Sequence, residues 1–220
     1  MVEAAVAWDL DTALAHLRHA DPVLASLAAR YRPELRWYPG SRFHALASAI
    51  VAQQLSGKAA ATISARLRQA VAAGGELRPE LILTAEHESL RSAGLSSQKA
   101  RYLCSLAEAV LGGSLDLEAL DQLPDDEVIA TLTRVKGIGA WTAEMFLIFS
   151  LGRPDVLSAG DLGIRTAVQR HYGLLSLPRA DELRSIAEPW RPYRSAALLL
   201  LWHSLDNAPE IARDEQAPPR

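Results

Sequence analysis

At 220 residues, 49% of them apolar and with a net charge of −3, the chain suits one large domain or two small ones with an ample core. No apolar run reaches the ~20 residues needed to cross a bilayer, and the acidic start from Met1 to Asp9 is unlike a signal peptide, so a cytoplasmic protein is expected. The single cysteine, Cys104, excludes an internal disulfide, a cysteine-ligated zinc site and a four-cysteine iron–sulfur cluster, and the acidic balance confines any nucleic-acid-binding face to a local patch.

The pattern is helical almost throughout, rich in Leu, Ala, Arg and Glu and without alternating β-branched runs, so an all-α fold is expected. Asp9 or Asp11 caps a first helix to about Ala20, and Asp21-Pro22 opens a second to about Tyr31. Arg32 to Ser41 holds two prolines and a glycine and reads as a loop. Phe43 to Leu55 reads as a largely buried helix, and Gly57 to Ala73 as another closed by Gly74-Gly75. Short helices are expected over Pro79 to Leu83 and Glu86 to Ala93. Ser96 or Ser97 caps a longer one from Gln98 to Leu111, and Leu117 to Leu123 is a brief helical turn. Pro124-Asp125-Asp126-Glu127 starts the helix that leads into Gly137-Ile138-Gly139, and a second apolar helix follows at once. Beyond Asp161 the chain reads as helices to about Tyr172, over Asp181 to Glu188 and over Pro192 to Leu205. One helix layer cannot bury so many apolar faces, so two lobes are expected. One spans about residues 43–122; the other joins 123–206 to the N-terminal helices 9–31. Residues 207–220 form a polar tail.

The stretch from Thr131 to Arg165 carries the chemistry. Glycines at 137 and 139 permit backbone angles closed to other residues. The amides of Gly137, Gly139 and Ala140 at the start of a helix favour an anion. Thr142 would add a hydroxyl, Lys136 a charge, and Ile138 an apolar pin. The same glycines fit a plain helix–turn–helix connection. Asp161 fits an ordinary N-cap and equally a carboxylate able to stabilise a cationic sugar transition state. Trp141 and Trp202 suit either core packing or the wall of a pocket for an extruded, electron-poor base. His44 is either a packed histidine or one near a DNA-facing loop. Arg191 and Arg194 are phosphate contacts or salt-bridge partners, and Lys58, Lys99 and Arg101 are phosphate contacts or solvated cations. The scattered histidines give no metal-ligand spacing.

Several ordered blocks resemble the helix–hairpin–helix DNA glycosylases, and within them the compact 3-methyladenine DNA glycosylase II (alkylation-repair) family. They are Ile50-Val51-Ala52-Gln53-Gln54-Leu55-Ser56-Gly57-Lys58, Gly94-Leu95-Ser96 with Lys99-Ala100-Arg101, Lys136 to Phe146, Arg153-Pro154-Asp155-Val156, Asp161-Leu162-Gly163-Ile164, Trp190 to Ser195 and Leu201-Trp202. The resemblance spans about Phe43 to His203. It implies a two-lobed all-helical glycosylase fold with a DNA-binding cleft between the lobes. It also implies a monofunctional enzyme that flips alkylated, cationic bases such as 3-methyladenine and 7-methylguanine out of duplex DNA and excises them. Asp161 matches the catalytic aspartate, and Gln54 the residue that fills the gap left by the flipped nucleotide, with Leu55 as the alternative. Gln53, Gln54, Leu55, Ser56 and Lys58, with Lys136, Gly137, Gly139, Ala140 and Thr142, are the implied DNA contacts. Trp141, Trp202, Met145 and Phe43 are the implied base pocket.

The carbonyls of Thr133, Val135 and Ile138 match those that hold a sodium or potassium ion when DNA is bound, and no other cofactor is implied. Trp141 stands where lyase-active relatives carry a lysine, so no Schiff base and no strand cleavage are implied. Lys136 replaces a common proline, and Ser158-Ala159-Gly160 replaces a loop that often carries proline and a second acid. The expected setting is a monomer acting at the nucleoid of a bacterial cell. The rival readings are a non-catalytic helix–hairpin–helix DNA-binding module and a glycosylase for another damaged base.

Overall fold

The computed structural model describes residues 8–35, 38, 40–55 and 57–205. Ser56 and the tail expected over 207–220 lie outside them. Among the described residues the structure is helical with no strand.

Helix α1 spans Leu10–Ala20 and α2 spans Pro22–Arg30. The Asp9 carboxylate accepts the Thr12 N–H at 2.8 Å to start α1. Asp21 starts α2 by accepting from Val23 and Leu24, with Pro22 at a position that needs no donor. Helix α3 covers Arg42–Ala52, capped by Ser41, and α4 covers Gly57–Ala72. Two short helices, α5 (Pro79–Thr84) and α6 (His87–Ser92), precede α7 (Ser97–Leu111), which Ser96 caps through the Lys99 N–H at 3.1 Å. A 3₁₀ turn at Ala119–Gln122 leads to α8 (Asp125–Leu132). Helix α9 is Ala140–Phe149, α10 is Leu162–Tyr172, α11 is Ala180–Ile186 and α12 is Arg194–Ser204, with a 3₁₀ turn at Glu188–Trp190 before the last.

Among the expected boundaries that move, two lie beside candidate site residues. Helix α3 stops at Ala52 rather than Leu55, because Gln54 takes a left-handed φ of +58° that no helix contains. Helix α12 starts at Arg194 rather than Pro192, since Tyr193 holds non-helical angles, φ −121° and ψ 37°.

The chain divides into two compact units. The terminal unit joins the described residues up to 35 with those from 147 onward; the central unit is the described part of 38–146. Thus α8 and the glycine hairpin group with the central unit, although the sequence set its break near residue 123. The change of unit falls between Phe146 and Leu147, inside α9, a continuous helix whose residues Met145 to Phe149 are all buried. No proline, glycine or polar linker marks it.

In the terminal unit α12 is the core. Ser195 to Trp202 are all buried, and the helix packs on α1, α2 and α10, as a helix apolar all round must. In the central unit α3 packs on α4 and α7, closing on Leu46, Ile50, Leu103 and Leu106. Each fully buried leucine is worth about 1.5–3 kcal/mol of transfer free energy. His44 belongs to this core: its Nδ1 accepts the Leu77 N–H at 3.1 Å, which settles it as a packed histidine. No described helix is long and apolar enough to cross a membrane.

Candidate functional site

In the terminal unit Asp161 caps α10, and Oδ1 accepts two donors: the Ile164 N–H at 2.7 Å and the Trp202 Nε1–H at 3.2 Å. The indole comes from α12, so one helix orients the carboxylate at the mouth of another. Capping and presentation are one geometry. Gly163 completes it. A Cβ there would lie 3.1 Å from Asp161 Oδ1 and 3.5 Å from Trp202 Cδ1, so a side chain at 163 would crowd the pair. Trp202 is only 1% exposed and stacks obliquely against Phe149, ring centroids 6.4 Å apart. Its faces are packed, and what it offers is its N–H.

The loop before Asp161 is fixed from the start of α12. The buried Ser195 hydroxyl donates to the Arg153 carbonyl at 2.7 Å and accepts the Val156 N–H at 3.1 Å; its own N–H reaches the Pro154 carbonyl at 2.9 Å. Arg194 grips Asp155 with Nε at 2.7 Å and Nη2 at 3.0 Å, and Arg191 Nη1 adds a contact at 2.6 Å. Trp8 Nε1 donates to the Gly152 carbonyl at 2.8 Å. Arg191 and Arg194 are therefore ion-pair partners. Hydrogen bonding to Glu188 foremost, with the charge of Asp155, pushes the Arg191 guanidinium further up.

The central unit holds the other expected residues. Gln54 and Leu55 form an exposed turn, Leu55 being 37% exposed. Gln53 turns inward: its Nε2 donates to the Gly137 carbonyl at 2.8 Å. Lys99 Nζ donates to the carbonyls of Val51 and Gln53, both at 2.6 Å. Burial pushes this ammonium down from the usual lysine range. Lys99 thus serves the protein backbone, whereas Lys58 is exposed.

At the hairpin Gly137 has φ +99°, and a Cβ there would stand 2.3 Å from Tyr102 Cγ. Only glycine fits, on both counts. Val135 and Ile138 are buried as the apolar pin, while Lys136, Gly139 and Ala140 are exposed. The Val135 carbonyl accepts the Ile138 N–H at 3.1 Å, and Thr133 lies exposed at the end of α8. Thr142 departs from expectation, because it faces the buried side of α9 and offers no surface hydroxyl. Of the implied pocket residues in this unit, Met145 is 0% exposed and Phe43 is buried, so both are core; Trp141, 42% exposed, presents its indole to solvent.

Gly163, Tyr102 and Ser195 escape a reading by residue type. Glycines beside an aspartate, and a tyrosine or serine on an apolar helix, carry no local signal, although all three lie in or beside the ordered blocks. Among the described residues no group of three His, Cys, Asp or Glu could hold a metal ion.

The chain matches the model of the HhH-GPD superfamily base excision DNA repair proteins over residues 47–192. It is 37% identical over 180 residues to DNA-3-methyladenine glycosylase 1 of Schizosaccharomyces pombe, covering 81% of this chain and 79% of that one. The structure of the Schizosaccharomyces pombe 3-methyladenine DNA glycosylase in complex with abasic DNA superposes with TM-score 0.80 at 35% identity, covering 90% of this chain and 98% of the other. A DNA-3-methyladenine glycosidase from Bacillus halodurans gives TM-score 0.77 at 39% identity, over 87% and 88% of the two chains.

Proposed function

The chain belongs to the HhH-GPD superfamily of base excision DNA repair proteins, and on that premise we propose that it is a DNA glycosylase that removes alkylated bases such as 3-methyladenine and 7-methylguanine from duplex DNA. The observation that carries this is the Asp161 carboxylate, aimed by the Ile164 amide and the Trp202 indole. A pure backbone grip needs no carboxylate so positioned.

An alkylated purine is already cationic, so its glycosidic bond is weak and little general-acid help is required. The work left to the protein is extrusion, selection and stabilisation of the sugar cation. Asp161 supplies the last electrostatically and orients the attacking water. The exposed amides of Gly139 and Ala140, with Lys136, suit a phosphate of the DNA backbone. Gln54 and Leu55 suit the gap in the stack, offsetting part of an unstacking cost of about a few kcal/mol. Trp141 suits stacking with an electron-poor base.

The finer features follow on the same reading. Trp141 has no amine, which supports an enzyme of the type II, monofunctional kind that stops at the abasic site. The carbonyls of Thr133, Val135 and Ile138 are hard neutral donors, and Val135 keeps a second lone pair beyond its bond from Ile138. They would hold a sodium or potassium ion that neutralises part of a bound phosphate's charge. The protein would act as a monomer on bacterial nucleoid DNA.

The test is incubation with a panel of alkylated duplexes, scoring released bases and abasic sites separately from strand breaks. Release of 3-methyladenine and 7-methylguanine, with breaks only after alkali, is expected. Binding to every duplex without release from any would favour a non-catalytic DNA-binding module.

A further inference from the structure

Helix α7 contributes to both DNA-facing parts of the central unit. Lys99, in its first turn, donates to the carbonyls of Val51 and Gln53 at the end of α3. Tyr102 lies three residues on, hence on the same face of α7, and its ring packs where a Cβ of Gly137 would be. Gln53 closes the circuit by donating to the Gly137 carbonyl. The turn Gln53–Leu55 and the glycine hairpin are thereby tied to one helix face and to each other.

The turn needs such ties. Gln54 is a non-glycine residue at φ +58°, a conformation that persists only where its surroundings over-determine it. The end of α3 offers little help of its own: the Gln53 N–H reaches Ile50 at a long 3.4 Å, and the last carbonyls of a helix lack intrahelical partners. Lys99 takes two of those carbonyls. A lysine used only to attract phosphate would keep its ammonium in water.

We propose that the Lys99–Tyr102 face of α7 acts as a ruler that fixes the spacing between the hairpin and the Gln54–Leu55 wedge, and that Lys99 is a positioning residue for nucleotide extrusion. Gripping a phosphate then sets which nucleotide the wedge displaces. This rests on the glycosylase reading, and it assigns to Lys99 and Gln53 an internal role in place of a DNA contact.

The experiment compares Lys99→Met and Gln53→Met with the unaltered protein in single-turnover excision on two substrates. In one the alkylated base is paired normally; in the other it lies opposite an abasic site and is unpaired, so that extrusion costs less. Loss of these bonds should slow excision from the paired duplex by about tenfold. Excision from the unpaired substrate, and affinity for undamaged duplex, should change by less than twofold. Lys99→Arg, which keeps donors for both carbonyls, should recover most of the rate. Thermal melting of each variant separates loss of folded protein from loss of extrusion. Equal slowing on both substrates, weaker binding to undamaged duplex, or no slowing on either would overturn the proposal. A wild-type protein that releases no base defeats the glycosylase reading instead; the ruler is then judged by fluorescence of 2-aminopurine beside an abasic site. Lys99→Met should lower that insertion signal, and an unchanged signal would overturn the ruler.

Discussion

The two units hold themselves together with acceptors of different kinds. In the terminal unit the acceptors that gather several donors are carboxylates, beside single main-chain bonds such as Trp8 to the Gly152 carbonyl and Ser195 to the Arg153 carbonyl. Buried Asp21 receives the Val23 and Leu24 amides, the Tyr172 hydroxyl at 2.6 Å and the Trp190 indole at 3.0 Å. Asp155 receives Arg191 and Arg194, and Asp161 receives Ile164 and Trp202. In the central unit the tertiary acceptors are chiefly main-chain carbonyls: Val51 and Gln53 for Lys99, Gly137 for Gln53, and Leu117 and Glu118 for Arg42. At the surface Arg42 adds the carboxylates of Glu118 and Asp121, and the Ser41 N–H reaches Glu76. A carboxylate hub is lost by one substitution at the acceptor. A carbonyl hub can be broken only from the donor side, and its geometry is set by backbone angles.

That contrast orders the expected effects. The largest is catalytic. Asp161→Asn keeps the side-chain shape and an oxygen for the Ile164 amide but removes the charge. Excision should fall by about 10²–10³-fold, by analogy with removing one electrostatic stabiliser from an active site, while duplex affinity stays within a few-fold. Full excision by this variant would remove Asp161 from the chemistry.

Next comes a stability effect confined to the terminal unit. Asp21→Ala strips the cap of α2 and leaves the Tyr172 hydroxyl and Trp190 N–H buried without their acceptor, so unfolding free energy should drop by about 3 kcal/mol or more. Burial foremost, and then Asp21, push the Tyr172 phenol up. Ultraviolet titration of the variant should show that phenol ionising at lower pH than in the unaltered protein. An unchanged phenol would mean that burial alone sets it.

A smaller effect of opposite sign is expected in the central unit. Gln54→Gly relieves the left-handed strain at φ +58°, and urea unfolding should show a gain of about 0.5–1 kcal/mol. Excision from paired duplexes should nonetheless fall, because the wedge side chain is gone. Lower stability in this variant would show that the Gln54 side chain makes up its own strain.

How much of this was legible in the sequence follows the same division. Caps announced themselves: Asp9, Asp21, Ser96 and Asp161 all start the helices expected of them, because a short polar side chain before an apolar run has one common physical use. The hairpin was legible from two glycines, and Gly137 has both the positive φ and the close neighbour that require one. Tertiary donors were not legible. Lys99 looks like a phosphate contact or a solvated cation on a helix and Gln53 like part of a DNA-binding loop, and only the fold shows their polar ends turned to carbonyls 46 and 84 residues away in sequence. Thr142 and Met145 were misplaced for a related reason. Helix α9 is apolar nearly all round, so its periodicity does not say which face meets solvent. The unit boundary was hidden in the same helix.

The smallest predicted effect separates the units by pH. His171 sits in the last turn of α10, where the helix dipole by itself would favour the protonated ring. Burial wins, with the charges of Arg170 and Arg30 adding to it, and the imidazole is held below its ordinary value of 6.5. Its Nε2 lies 2.8 Å from the Ser204 hydroxyl on α12. The unfolded chain therefore takes up a proton as pH falls below about 6.5 that the folded chain refuses. Stability should decline with acid through that window, by no more than about 1.4 kcal/mol per pH unit for a single proton. The decline should level off once the lowered folded value is passed, and the group should contribute no slope well above 6.5. His171→Gln keeps a polar partner for Ser204 and removes the titration, so its melting temperature should vary less between pH 7 and pH 5 than that of the unaltered protein. Parallel curves for the two proteins across that range would show that His171 contributes no acid sensitivity to the terminal unit.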